Sequence, residues 1–269
     1  MGCFEIVDRP AKYDPIPLKY VYKLKVKDGN FCDPNYKARL VMQGDLQYEC
    51  EYSITYAPTA RLFSLRTICA LAAQEGLALH KFDLKGAFVT ADIDIKTQYV
   101  SIPGYDLPEG KAVLLKKALY GGRSSGALYH REINQFLIDY GFQPNSVDPT
   151  LYRLEKDGSV LLMSLYVDDG AIATNDQFLL KEFLDALSLK YALSDKGLLE
   201  WHLGMRVTQD LEHGTVTQGA GQNVAVAGAG LGEPALEGAC RQVERSRCGL
   251  QRVALPSLVH SYQSRGCCL

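Results

Sequence analysis

VLLMSLYVDDGAIAT, residues 160–174, is the stretch on which the fold turns. Its first part, 160–167, is apolar with one serine inside it and stops at Asp168-Asp169; residues 170–174 can then return antiparallel, so the pair of acids sits at the tip of a hairpin. Adjacent carboxylates repel each other, and placing them beside Leu161, Leu162, Met163 and Leu165 is costly without a compensating cation. A divalent metal would compensate, but Asp-Asp-Gly is also the composition of an ordinary hairpin turn, and the dipeptide alone favours the turn. A third carboxylate bears on this choice: Asp83 ends another apolar strand, in HKFDLK at 80–85. If the two strands are neighbours in one sheet, three carboxylates meet. Oxygen-rich clusters of that kind bind Mg2+ and leave its remaining positions to water and phosphates. Two such ions can clamp both oxygens of an in-line phosphoryl displacement, which is polymerase or nuclease chemistry.

Outward from this hairpin the pattern alternates between strands and helices. Residues 64–75 place Leu65, Ile68, Leu71 and Ala72 on one helical side before Gly76, and a strand follows over 77–84. A second helix over 127–140 carries Leu128, Ile133, Phe136, Leu137 and Tyr140 and stops at Gly141. Asp176 caps a third over 178–191, whose buried stripe is Phe183, Leu184 and Leu187. Toward the start, Tyr20, Tyr22, Leu24 and Val26 alternate with Lys23, Lys25 and Lys27 up to Asp28-Gly29, a hairpin with one lysine-studded face. The class is α+β.

The 269 residues are 47% hydrophobic and 22% charged, with a net charge of −2, which excludes collagenous, coiled-coil and wholly disordered chains. Basic charge is concentrated in 9–43, with eight Lys or Arg against three Asp. No apolar run approaches the roughly 20 residues of a membrane-spanning helix, and no secretory signal is read, so an intracellular protein without membrane partners is expected. The eight cysteines show no CxxC and no zinc-ligand spacing, which points to a reduced compartment. From about Gly219 the character changes. The remainder holds five arginines (Arg241, Arg245, Arg247, Arg252, Arg265), no lysine and runs such as AVAGAGLGEPALEGA. It has too little bulky apolar surface to offset the entropy of ordering, so residues 211–269 are expected to be a low-complexity tail, disordered or frame-shifted.

The chain resembles the reverse transcriptase domain of copia-type long-terminal-repeat retrotransposons over about residues 20–207. The stretches that carry the likeness are YKARLVMQGDLQ (36–47), YAPTARLFSLRTICALAA (56–73), HKFDLKGAFVTADI (80–93), VSIPGY (100–105), LKKALYGG (115–122), GFQPNSVDPTLY (141–152), LYVDDGAIAT (165–174) and LSDKGLLEWHLGMRV (193–207), in the family's order. The resemblance implies a right-hand polymerase fold, with fingers mainly in 10–60 and a palm mainly in 61–210. Its antiparallel palm sheet would pack on helices, and the thumb would be missing. It implies RNA-directed DNA polymerisation: two Mg2+ ions, or Mn2+ in their place, an RNA or DNA template with primer, and dNTPs. Asp83 and Asp168 match the metal-binding aspartates, and Asp169 the third acidic position. Phe88 falls where reverse transcriptases carry an aromatic gate against the ribose 2′-hydroxyl; without the family match, a core Phe beside Ala87 is the favoured reading. Lys37 and Arg39 resemble the fingers' basic residues that neutralise a triphosphate, and Gly121 belongs to the nucleotide-binding loop.

The chain also departs from the pattern. Where the family reads LYGLKQAPRAW, residues 119–129 read LYGGRSSGALY; Gly86 replaces a usual Thr, and Asp45-Leu46 interrupts the aromatic after the glycine. These differences look like drift. They leave a rival reading, a catalytically inactive nucleic-acid-binding remnant. A metal-dependent nuclease on the same carboxylates lacks an accompanying His base, since His80, His130, His202, His213 and His260 are scattered, and His80 and His202 read as packing or surface residues.

Overall fold

The computed structural model describes residues 2–27, 30–48, 52 and 54–220. Within them the chain runs through β1 (Phe4–Asp8), β2 (Ile16–Lys27), β3 (Asn30–Met42), α1 (Leu62–Glu75), β4 (Ala78–Lys85), β5 (Tyr99–Ser101) and β6 (Lys111–Leu115). It continues through α2 (Ser125–Tyr140), β7 (Gln143–Pro144), β8 (Leu151–Lys156), β9 (Ser159–Tyr166), β10 (Asp169–Thr174) and α3 (Gln177–Lys190). Four strands close the series: β11 (Ala192–Leu198), β12 (Trp201–His202), β13 (Met205–Asp210) and β14 (Thr215–Ala220). The strands form three sheets, in the orders β1-β6-β5-β2-β3, β11-β4-β10-β9-β8-β7 and β12-β13-β14. The last two are antiparallel throughout, and in the first only β2 and β5 run parallel. This is the expected mixed α+β class.

The six-stranded sheet carries apolar side chains on both faces. Phe82, Leu84 and Ile172 turn toward α2 and α3, where they meet Leu128, Ile133, Leu137, Phe183 and Leu187. Leu79, Ala171 and Ala173 face α1 and pack with Leu65, Ile68 and Ala72. The small residues of β10 serve a purpose here. Gly170 lies opposite Phe82, and a Cβ on it would stand 2.1 Å from Phe82 Cζ, so the ring fills the space that the glycine leaves.

The three expected helices form, and their stripes are buried, apart from the half-buried Leu71, Phe136 and Tyr140. α1 and α2 start two residues earlier than the periodicity suggests. Arg61 O accepts from the N–H groups of Ser64 and Leu65, and Gly122 O accepts from Ser125, so backbone turns rather than polar caps begin both helices. Gly76 and Gly141 end them at φ of 65° and 117°, the left-handed conformation that glycine adopts without strain. Asp176 caps α3 as expected, accepting from the N–H groups of Phe178 and Leu179 at 2.8 and 3.1 Å. The lysine-rich strand pairs with β3 as a hairpin. Its expected turn, Asp28-Gly29, lies outside the described residues, as does the part of the expected 211–269 tail beyond residue 220; the part before it is ordered, with Thr215–Ala220 forming β14 against β13. No helix among the described residues is long and apolar enough to cross a membrane.

Candidate active site

The two strands that end in aspartates are neighbours. β10 lies between β4 and β9, and its first residue, Asp169, stands directly opposite Asp83. The connection from β9 to β10 is only Val167-Asp168, with Val167 at φ 54°. A turn this tight needs a left-handed residue, and a β-branched side chain there is held by its surroundings. Two bonds hold it: the Tyr129 hydroxyl donates to Val167 O at 3.0 Å, and Leu84 N–H donates to Asp168 O at 2.7 Å. The hairpin tip is thereby fixed to both α2 and β4. All three aspartates are half-buried.

Their electrostatics differ. Burial pushes the Asp168 carboxyl above the ordinary carboxylate range; Asp169 and Asp83 push it the same way, while its own backbone N–H and Arg39 oppose. Asp169 has a cation already, because Lys81 Nζ sits 3.1 Å from Asp169 Oδ1 and also donates to Trp201 O at 3.1 Å. His202 lies close by, 1% exposed, with neither ring nitrogen hydrogen-bonded. Burial lowers its pKa to about 4; Lys81 also lowers it and Asp169 opposes. It is a neutral, buried imidazole, the packing role expected of it. The other histidine read that way, His80, instead bonds to Asp195 Oδ1 at 2.7 Å.

Phe88 occupies a short 3-10 turn, Ala87–Thr90, entered through Gly86 at φ 66°. Its half-buried ring meets Tyr120 edge-on at 4.5 Å between centroids and Tyr129 at 5.8 Å. Arg39 lies over the other ring of this group, 5.9 Å from the Tyr120 centroid. Burial raises the Tyr120 hydroxyl's pKa, Asp168 and Asp83 raise it further, and Arg39 opposes. Tyr120 thus joins Phe88, the basic strand and the carboxylates. In the sequence its only signal is an aromatic just before two glycines. Lys37 lies two positions from Arg39 on β3, exposed and opposite Lys23. The structure therefore brings Asp83, Asp168, Asp169, Arg39 and Phe88 to one end of the six-stranded sheet, and leaves Lys37 on the ribbon beyond.

Gly121 has a local reason for being glycine. Its φ is 89°, and a Cβ would stand 2.1 Å from Met42 O, where Met42 N–H donates to Tyr120 O at 2.8 Å. Arg123 extends this junction. Its Nε donates to Gly44 O at 2.7 Å, its backbone N–H to Gln47 Oε1 at 2.8 Å, and its guanidinium covers the Tyr52 ring at 5.1 Å.

Three carboxylates are hard oxygen donors of the kind that suits Mg2+. Among the described residues, however, no three His, Cys, Asp or Glu side chains stand close enough together to hold a metal ion. The oxygen donors are of the type that Mg2+ takes, and one of them, Asp169, is engaged by Lys81.

Comparison with known proteins gives the lineage. The family model described as reverse transcriptase (RNA-dependent DNA polymerase) matches residues 1–234. The retrovirus-related Pol polyprotein from transposon TNT 1-94 of Nicotiana tabacum is 29% identical over 214 residues, covering 78% of this chain and 16% of that protein. The corresponding polyprotein from transposon RE2 of Arabidopsis thaliana is 31% identical over 183 residues, covering 65% and 12%. The transposon Ty1-MR1 Gag-Pol polyprotein of Saccharomyces cerevisiae is 28% identical over 160 residues, covering 59% and 9%. The chain thus spans about a sixth or less of the length of these relatives. Among solved structures, a foamy viral protease-reverse transcriptase in complex with dsDNA aligns with a TM-score of 0.47 at 17% identity, covering 91% of this chain and 45% of that one. With the family's model matching most of its length, this chain belongs to the reverse transcriptase (RNA-dependent DNA polymerase) family, beside the Pol polyproteins of retrotransposons.

Proposed function

We propose that the chain is the fingers and palm of an RNA-directed DNA polymerase, with residues 10–60 mainly as fingers and 61–210 as palm, adding dNTPs to a primer on an RNA or DNA template. The observation that carries this reading is the register of β4 against β10, which sets Asp83 opposite Asp169 with Asp168 beside them at the hairpin tip. Asp83 and Asp168 would hold Mg2+, which when bound supplies Lewis-acid activation of the primer 3′-hydroxyl and offsets charge on the leaving pyrophosphate. Arg39, leaning over Tyr120 toward the carboxylates, offsets the charge of the triphosphate, and Lys37 meets template or nucleotide farther out. The Phe88 ring, steadied edge-on by Tyr120 and Tyr129, closes off the space that a ribose 2′-hydroxyl would need. Gly121 lets the loop that carries Tyr120 pass close under Met42.

A second reading, an inactive nucleic-acid-binding remnant, is favoured by one observation: Lys81 holds Asp169 in an ion pair within the carboxylate group. Primer extension by the full chain on poly(rA)/oligo(dT) with Mg2+ separates the two. Incorporation that Asp168→Asn reduces by a factor of 10² or more supports the polymerase. Hybrid binding with no incorporation by the folded chain supports the remnant.

A further inference from the structure

Asp83 and Asp169 face each other across paired strands, yet no three acidic or imidazole side chains among the described residues gather closely enough to hold a metal ion. What stands among the carboxylates is a lysine. Lys81 lies two positions before Asp83 on β4, directly opposite Ala171 of β10, as Asp83 lies opposite Asp169. Residues two apart on a strand share a face, so Lys81, Asp83, Ala171 and Asp169 project to the same side of the sheet. Ala171 presents only a methyl group there, which leaves the lysine stem a path along the strand to the diagonal position. At its end Nζ meets Asp169 Oδ1 at 3.1 Å.

A second bond fixes the ammonium. It donates to Trp201 O, also at 3.1 Å, so β4, β10 and β12 are joined at one nitrogen. The Lys81 side chain is 20% exposed and that of Asp169 34%, so solvent and salt screen this pair less than one on the open surface. Lys85 makes the contrast on the same strand and face. It lies two positions beyond Asp83, exposed and opposite Ala192 of β11, and makes no ion pair among the described residues.

We infer that the Lys81 ammonium is a built-in counter-cation that occupies Asp169 in place of a divalent metal ion, so that the site offers Asp83 and Asp168 alone and takes one such ion instead of two. The ammonium satisfies the Asp169 carboxylate and also sets a positive charge where a second ion would lie, and the two would repel across a few ångströms. Two carboxylates suffice for one Mg2+ or Mn2+, whose remaining positions go to water. The inference rests on the reading of Asp83 and Asp168 as cation ligands. It adds that a lysine of this chain sets how many ions the site accepts.

The test is a titration of the full-length chain with Mn2+, without nucleotide or nucleic acid, with the free ion followed by its electron paramagnetic resonance signal. Binding is counted above the background of the doubly substituted Asp83→Asn, Asp168→Asn chain. The parent should bind one ion. Lys81→Gln and Lys81→Met, which remove the charge and keep a stem, should bind two, with overall affinity tighter by on the order of tenfold. Lys81→Arg, which keeps the charge, should behave as the parent. Lys85→Gln removes the same charge from the same strand without freeing Asp169, and should change affinity by less than about threefold. Adding Asp169→Asn to Lys81→Gln should return the count to one. Melting curves with and without Mn2+ confirm that each variant is folded. Two ions on the parent, an unchanged count in both neutral variants, or a second ion that survives Asp169→Asn would each overturn the role of Lys81 and leave the carboxylate reading standing. No saturable binding by the parent or by the neutral variants would overturn both.

Discussion

Gly170 shows how far one residue's chemistry reaches. It follows the two aspartates, and a glycine after Asp-Asp reads in the sequence as turn punctuation. In the fold it lies inside β10, where the Phe82 ring takes the place of its side chain. Gly170→Ala should therefore act as an overpacking change, costing about 2 kcal/mol and lowering the melting temperature by roughly 4–8 °C. A thermal melt of the variant beside the parent checks this, and an unchanged melt would mean that the ring moves aside freely. The aspartates themselves were legible, because carboxylates that end apolar runs need a reason to be there. Their partners were not. The Lys81–Asp169 pair arises from diagonal neighbours on paired strands, and Tyr120 comes from a loop some forty residues away in sequence. Nothing local in HKFDLK or ALYGG announces either contact.

At the scale of the element, the helices were the most legible part, since each carries an apolar stripe and a clear stop. What their stripes could not show is how they are fastened. The first turn of α1 is tied to the loop before β8 through Asp148, which accepts hydrogen bonds from the Ser64 hydroxyl and from the Thr150 N–H and hydroxyl. Burial pushes the Asp148 carboxyl up, but these bonds and Arg61 outweigh it and hold the group below the ordinary carboxylate range. A carboxylate with a lowered folded pKa lends stability that is complete above the unfolded value, about 4, and is lost as pH falls through the folded one. Denaturant titrations should therefore show stability that is flat in this component near pH 6 and falls below pH 4. Asp148→Asn should cost about 2 kcal/mol near neutrality and lose much of that acid-dependent fall. An equal acid slope in both proteins would remove Asp148 from the account. The lysine ribbon was also readable, as strict alternation, while strands β1, β5 and β6 of the same sheet were not. They are short and pair with partners distant in sequence, so no period marks them.

Over the whole molecule, charge is the property that the net value of −2 conceals. Register places Lys19, Lys23, Lys37 and Arg39 on the same side of the β2–β3 ribbon. If four such residues neutralise phosphates, affinity for an RNA/DNA hybrid should fall about 100-fold between 50 and 200 mM salt, and Lys23→Ala with Lys37→Ala should lower the slope by about two ions. A slope near zero would put the ribbon outside the nucleic-acid path. The order of the strands has another consequence. The five-stranded sheet takes β1, β2, β3, β5 and β6, and the six-stranded sheet takes β4 and β7 to β11, so the chain passes between them three times. A protease that nicks one crossing leaves two covalent passages and the clasp of Arg123 on Gly44 intact. Neither sheet can be released as a separate module by a single cut, so the two must be expressed, cleaved and unfolded as one covalent unit.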